Sequence, residues 1–187
     1  MDTILIVPGL GDSGPRHWQS WFEERLPQCR RVMQRDWDKP DLAAWSSAVR
    51  REVARAPGRS WIVAHSFGCL AAAHCRGWVD ARIAGAMLVA PAEPSHFGLG
   101  SVLARSRLSF PTLLIASEND TWMSAGQARS WAQIWGAEYV SAGAAGHINA
   151  DSGHGPWAEG LSLLKRLQET AVALVEPQPV RQRRRRP

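Results

Sequence analysis

Four stretches of this chain are apolar almost throughout. Residues 3–7 read Thr-Ile-Leu-Ile-Val, 61–64 Trp-Ile-Val-Ala, 83–90 Ile-Ala-Gly-Ala-Met-Leu-Val-Ala and 111–117 Pro-Thr-Leu-Leu-Ile-Ala-Ser. Short runs without a polar face suit strands covered on both sides. A poorer, alternating candidate lies at 31–37, and a last short one at 138–141. Helical spacing fills the intervals. Pro15 is placed to open a helix through Trp18, Trp21, Phe22 and Leu26, and Asp41 to cap one through Leu42, Trp45, Val49 and Val53. An Ala-rich helix is expected at 69–76 and a short one at 100–107. Ser124 and Gln127 form a capping-box pattern before Ala128, Trp131 and Trp135, with Gly136 as the stop. The final helix, 156–174, runs through Trp157, Leu161, Leu164, Leu167, Ala171 and Leu174. Strand and helix thus alternate about six times. This predicts an α/β fold: a mostly parallel sheet of about six strands with helices on both faces. Ligands of such sheets bind beyond the carboxyl ends of the strands.

A chain of 187 residues is most simply one domain, expected at 1–175. The segment 176–187 is rich in Pro and Arg and is expected to be disordered. It supplies +4 of the formal net charge of +5 and leaves +1 on the body, so the basic balance says little about the folded part. Contact of Arg181 and 183–186 with nucleic acid is a weaker reading than a solvated charged end. Cys29, Cys69 and Cys75 make no CxxC pair and are odd in number, which disfavours a disulfide framework or a zinc site and suits a reducing compartment. The first residues pass straight into an apolar strand without a basic leader, and no apolar stretch reaches membrane-spanning length. Cytoplasmic location, no membrane and no cofactor are the expectations. The oligomeric state is not legible.

The run 61–68, Trp-Ile-Val-Ala-His-Ser-Phe-Gly, is strand, sharp turn, helix. Ser66 stands at its apex between small residues two positions away, Ala64 and Gly68. This is a variant of G-x-S-x-G, with alanine for the first glycine; it lifts a serine hydroxyl above a sheet edge on a strained backbone. A hydroxyl needs a base to take its proton, and the base needs an orienting carboxylate. The strand-end loops supply both, as Asp120 in Ser-Glu-Asn-Asp and His147 in Gly-His. The order Ser66, Asp120, His147 is that of α/β-hydrolases. Backbone donors for an oxyanion are expected at Phe67, after the serine, and at Leu10, in the glycine-rich turn after the first strand. Gly9 and Gly11 let backbone approach a substrate, Trp122 is placed to wall a pocket, and with His65 these are the substrate-pocket candidates.

Each residue also has a plainer reading. Ser66 alone is as readily a turn residue. Asp120 could cap the helix after it, with Glu118 as the rival acid. His154 rivals His147, and His65 reads as a structural neighbour of the elbow. His147 with His154 hints at metal ligands, but no third ligand cluster accompanies them, so no metal is assigned. His17, His74 and His96 have no assigned chemistry, and the other tryptophans read as helix-face packing.

Taken together, Val7-Pro8-Gly9-Leu10-Gly11-Asp12-Ser13 with Trp18 and Trp21, Ala64-His65-Ser66-Phe67-Gly68, Ala116-Ser117-Glu118-Asn119-Asp120 and Gly146-His147-Ile148-Asn149 resemble a small serine-hydrolase family. That family includes YdeN-type bacterial proteins and retinoblastoma-binding protein 9. The resemblance runs from Thr3 to about Leu174. It implies a compact α/β-hydrolase without a cap domain, and Ser66, Asp120 and His147 as a triad. Thr121 stands where a proline commonly follows the acid. The expected activity is hydrolysis of small esters, thioesters or amides through an acyl-enzyme. The competing expectation is a catalytically silent interaction module on the same scaffold.

Overall fold

The computed structural model describes residues 1–75 and 80–175. Six strands form one sheet: β1 (Thr3–Val7), β2 (Cys29–Arg31), β3 (Ser60–His65), β4 (Ile83–Val89), β5 (Thr112–Ala116) and β6 (Glu138–Ser141). Their order is β2-β1-β3-β4-β5-β6, and every neighbouring pair is parallel. Every residue of β1, β3, β4 and β5 is buried, in keeping with their largely apolar sequences.

The helices are α1 (Trp18–Arg25), α2 (Leu42–Arg55), α3 (Phe67–His74), α4 (Gly100–Leu103), α5 (Ala125–Trp135) and α6 (Ala158–Val175). Strand alternation divides the core in two. Ile4, Ile6, Val63, Met87 and Val89 face one layer with Trp18 and Phe22 of α1 and Trp157, Leu164 and Leu167 at α6. Leu5, Val7, Ile62 and Leu88 face the other with Trp45 of α2, Leu70 of α3 and Trp135 of α5. The connection between β4 and β5 holds only a single 3-10 turn, Pro94–Phe97, and the one-turn α4, with no inserted domain.

Local signals set several boundaries. Asp41 accepts the Ala44 N–H at 3.0 Å and caps α2. The Ser124/Gln127 capping box opens α5, and Gly136, at φ 73°, closes it. Three expectations shift. The second strand is Cys29–Arg31 rather than 31–37, because it is an edge strand whose place is fixed by pairing Cys29, Arg30 and Arg31 with Ile4, Leu5 and Ile6. The first helix begins at Trp18 rather than at Pro15, since His17 caps it by accepting the Gln19 N–H on Nδ1 at 3.1 Å. The short helix expected at 100–107 shrinks to Gly100–Leu103. The expected disordered tail, 176–187, lies outside the described residues, as does Arg76 at the end of the 69–76 helix.

Gly68 marks one of the tightest passages in this fold. A Cβ there would overlap the backbone carbonyl oxygens of Val7 and Pro8, which cannot swing away as a side chain would. Gly68→Ala is therefore expected to lower stability by about 3 kcal/mol. A urea midpoint unchanged from wild type would contradict this close approach.

Candidate active site

The sheet order reverses direction between β1 and β3, and the loops after β1, β3, β5 and β6 converge above that edge. Ser66 follows β3 directly at φ 52° and ψ −123°, a sparsely populated conformation for any residue but glycine. It stands in the N-cap position of α3, yet its side chain makes no capping bond. The hydroxyl is instead 2.9 Å from His147 Nε2. Across the ring, His147 Nδ1 lies 2.9 and 3.0 Å from the two Asp120 carboxylate oxygens. The Asp120 side chain is only 2% exposed, and its Oδ1 also accepts the Trp122 N–H at 2.8 Å. Ser66, His147 and Asp120 thus form one hydrogen-bonded row. Glu118 stands apart from it: its carboxylate is exposed and accepts the Ser141 hydroxyl at 3.0 Å. His154 stands apart as well, with Nδ1 beside Ser152 and its ring on Trp157.

Backbone strain collects along this edge. Ile148 is buried at φ 46°, costly for a β-branched residue, and Ala90 after β4 sits at φ 44°. Ile148 is secured from α1, where the Trp18 indole donates to its carbonyl at 2.8 Å; the Trp18 N–H reaches the His154 carbonyl at 2.9 Å. Trp18 therefore does more than pack a helix face. Two residues assigned no role from sequence lace the acid loop to the histidine loop. Ser117 Oγ accepts the Ala145 N–H at 2.9 Å, and Asn119 Oδ1 accepts the Gly146 N–H at 2.7 Å. Their signal was a run of short polar residues at a strand end, which reads only as a turn. His65 Nε2–H donates to the His147 carbonyl at 2.9 Å from the strand side.

A cleft of about 390 Å³ opens over Ser66 and His147. Leu10, Phe97 and Trp122 give it an apolar side, and His17, Asn149 and Asp151 a polar one. Trp122 is 43% exposed, with its ring centroid 5.8 Å from that of His147. His65 also lines the cleft; Gly9 and Gly11 are not among its lining residues. Gly9 packs beneath the serine, where an added Cβ would fall 2.7 Å from Ser66 Cβ, and Gly11 turns the chain at φ 76°. The Leu10 N–H has no hydrogen-bond partner among the described residues, and the Phe67 N–H opens the first turn of α3, where helix donors lack intrahelical acceptors. Among the described residues no three His, Cys, Asp or Glu side chains group as metal ligands, and no helix is long and apolar enough to cross a membrane.

Two neutral histidines flank the row. Burial, then the neighbouring His17 and His147, hold the His65 pKa well below the ordinary histidine range. Burial, then the Arg31 guanidinium, lowers His17 to about 4. An unfolded histidine titrates near about 6.5, so the unfolded chain binds a proton that the folded chain refuses. The His17 contribution to stability is present above about pH 6.5 and is lost as pH falls through about 4, a change on the order of 3 kcal/mol. Urea unfolding at several pH values should give a shallower acid slope for His17→Asn, a residue that also caps helices. Equal slopes for variant and wild type would count against a neutral, buried His17.

The serine hydrolase family profile matches residues 4–166. A structure described as a YdeN-like hydrolase from Pectobacterium atrosepticum is 46% identical, with 94% of each chain covered and a TM-score of 0.85. The ydeN gene product of B. subtilis is 20% identical with a TM-score of 0.72, covering 90% of this chain and 100% of that one. Thermogutta terrifontis esterase 2 shares the fold at 17% identity and a TM-score of 0.66, covering 95% of this chain and 85% of that one. No curated protein matches the chain. With a profile spanning most of the described sheet and a YdeN-like relative over nearly its whole length, this chain belongs to the serine hydrolase family.

Proposed function

We propose that the protein hydrolyses small carboxylic esters, thioesters or amides through an acyl-enzyme, with Ser66 as nucleophile, His147 as base and acid, and Asp120 as its orienting carboxylate. Esters are favoured over peptides. The observation that carries this is the unbroken row from the Ser66 hydroxyl through the imidazole to a carboxylate shielded from solvent. As Ser66 Oγ bonds to the carbonyl carbon, its proton passes to His147 Nε2, and the carbonyl π electrons move onto oxygen. That oxyanion is received by the backbone N–H groups of Phe67 and Leu10. When the tetrahedral adduct collapses, the bond to the leaving group breaks and the leaving group takes the proton from His147. Water then repeats the sequence on the acyl-Ser66 ester and releases the acid. Asp120 fixes the ring with its proton on Nδ1 and stabilises the imidazolium formed at each step.

A cleft of about 390 Å³ without an inserted domain over it favours acyl groups of modest size. Action on soluble substrates in the cytoplasm, without a cofactor, completes the reading. The test is covalent labelling with a fluorophosphonate. The related fold of Thermogutta terrifontis esterase 2 is described phosphonylated by cyclosarin, a reagent of the same class. Folded protein is expected to gain one phosphonyl group on Ser66, seen by intact mass and peptide mapping. Absence of labelling would favour a silent interaction module instead.

A further inference from the structure

Beside the row lies a polar network in which one atom is left over. Gln19 is fully buried, and each polar atom of its side chain is engaged. Its Oε1 accepts the Ser13 hydroxyl at 2.6 Å, and its Nε2 donates to the carbonyls of Val63 at 3.1 Å and Val7 at 3.3 Å. The network therefore ties together the ends of β1 and β3, from which Leu10 and Ser66 extend. The Gln19 N–H binds His17 Nδ1, which must accept. The single ring proton of neutral His17 is thus on Nε2. That Nε2–H has no partner among the described residues, and the atom itself is sealed from solvent, so a substrate oxygen reaches it only as the surrounding side chains yield slightly. Buried donors are seldom left unpaired, because each has surrendered its water. His17 lines the cleft beside Ser66, with its ring 4.8 Å from the His65 ring, and the His65 ring is 4.9 Å from that of His147.

The geometry points to His17 as a specificity-determining residue whose Nε2–H donates to a neutral oxygen acceptor on the substrate, close to the scissile carbonyl. This rests on the hydrolase reading above and adds a substrate class: esters carrying an ether, keto or hydroxyl oxygen beside the reacting group. Low basicity keeps the ring a donor at Nε2 and an acceptor at Nδ1 through the neutral pH range. The carboxylates on the same wall select against an anionic acceptor. Asp12 is occupied by Arg31 at 2.8 Å, whereas Asp151 is exposed at the rim and repels a second negative charge. A site built to pair a polar group discriminates against the analogue lacking it, because its own donor is then stranded.

The test compares esters that differ by a single CH₂-to-oxygen exchange. On the acyl side the pair is p-nitrophenyl butyrate and p-nitrophenyl methoxyacetate; on the alcohol side it is butyl acetate and methoxyethyl acetate. His17→Asn retains a side-chain oxygen to cap α1 but is too short to carry the donor into the cleft, and His17→Ser does the same with a hydroxyl. The readout is a ratio of ratios, kcat/KM for the oxygenated over the carbon ester in wild type against the same ratio in each variant. The intrinsic reactivity conferred by the oxygen cancels in it. In at least one pair the oxygen preference is expected to fall by about tenfold in both variants, the worth of one hydrogen bond. Equal losses on both members of both pairs, or no loss at all, would overturn the assignment and leave His17 a helix cap only. Wild type that hydrolyses none of the four esters and resists the fluorophosphonate would remove the hydrolase reading, and this one with it.

Discussion

Ser66→Ala is expected to fold as wild type does and to lose about a million-fold in kcat, together with all fluorophosphonate labelling. The size of the loss follows from what the alanine lacks. No other hydroxyl lies within hydrogen-bond distance of His147 Nε2 among the described residues, so nothing can inherit the attack. Stability should change little. Alanine adopts the same φ of 52° at the same strain, keeps the Cβ that packs on Gly9, and gives up only one partly exposed hydrogen bond. Circular dichroism and thermal unfolding separate a chemical loss from a structural one. A folded Ser66→Ala protein that retained wild-type turnover would end the assignment of Ser66 as nucleophile.

Asp120→Asn is expected to cost about 10,000-fold in kcat, again with the fold intact. The reason is a tautomer. Asp120 Oδ1 accepts the Trp122 N–H at 2.8 Å, so an asparagine would turn its carbonyl oxygen toward that donor and its amide NH₂ toward His147. His147 Nδ1 would then have to accept, which forces the ring proton onto Nε2, where Ser66 must deliver its own. The base would be present, correctly placed and already protonated on the wrong side. Near-full activity would move the role to Glu118, against its observed bond to the Ser141 hydroxyl.

Much of this edge is legible in the sequence. The strands β1, β3, β4 and β5 announce themselves because burial on both faces confines polar residues to the strand ends, at Thr3, Ser60, His65 and Thr112, and their order along the chain places the serine, acid and histidine loops on one rim. The Ser124/Gln127 box and Gly136 bound α5 by local chemistry alone. What stayed hidden depends on distant partners. Cys29-Arg30-Arg31 has no strand-like pattern; it is drawn into the sheet by the free edge of β1, and Arg31 is then fixed by Glu23, Asp12 and the Ser13 carbonyl. His17 looks like an unremarkable polar residue until α1 is docked and its two nitrogens meet different fates. Ser117 and Asn119 acquire their roles only when the loop after β6 comes to lie against the loop after β5.

Apart from the Asp120 carboxylate, the ties that hold His147 and its loop in place share one property. Ser117, Asn119 and His65 all act as neutral groups, through bonds to backbone N–H or carbonyl. Added salt screens separated charges but has little purchase on short contacts between uncharged partners. The Asp120 carboxylate is shielded from solvent as well, so the alignment of the imidazole should be indifferent to ionic strength. Any salt dependence of turnover would then report on the charge carried by the incoming molecule, as felt by Asp151 at the mouth of the cleft.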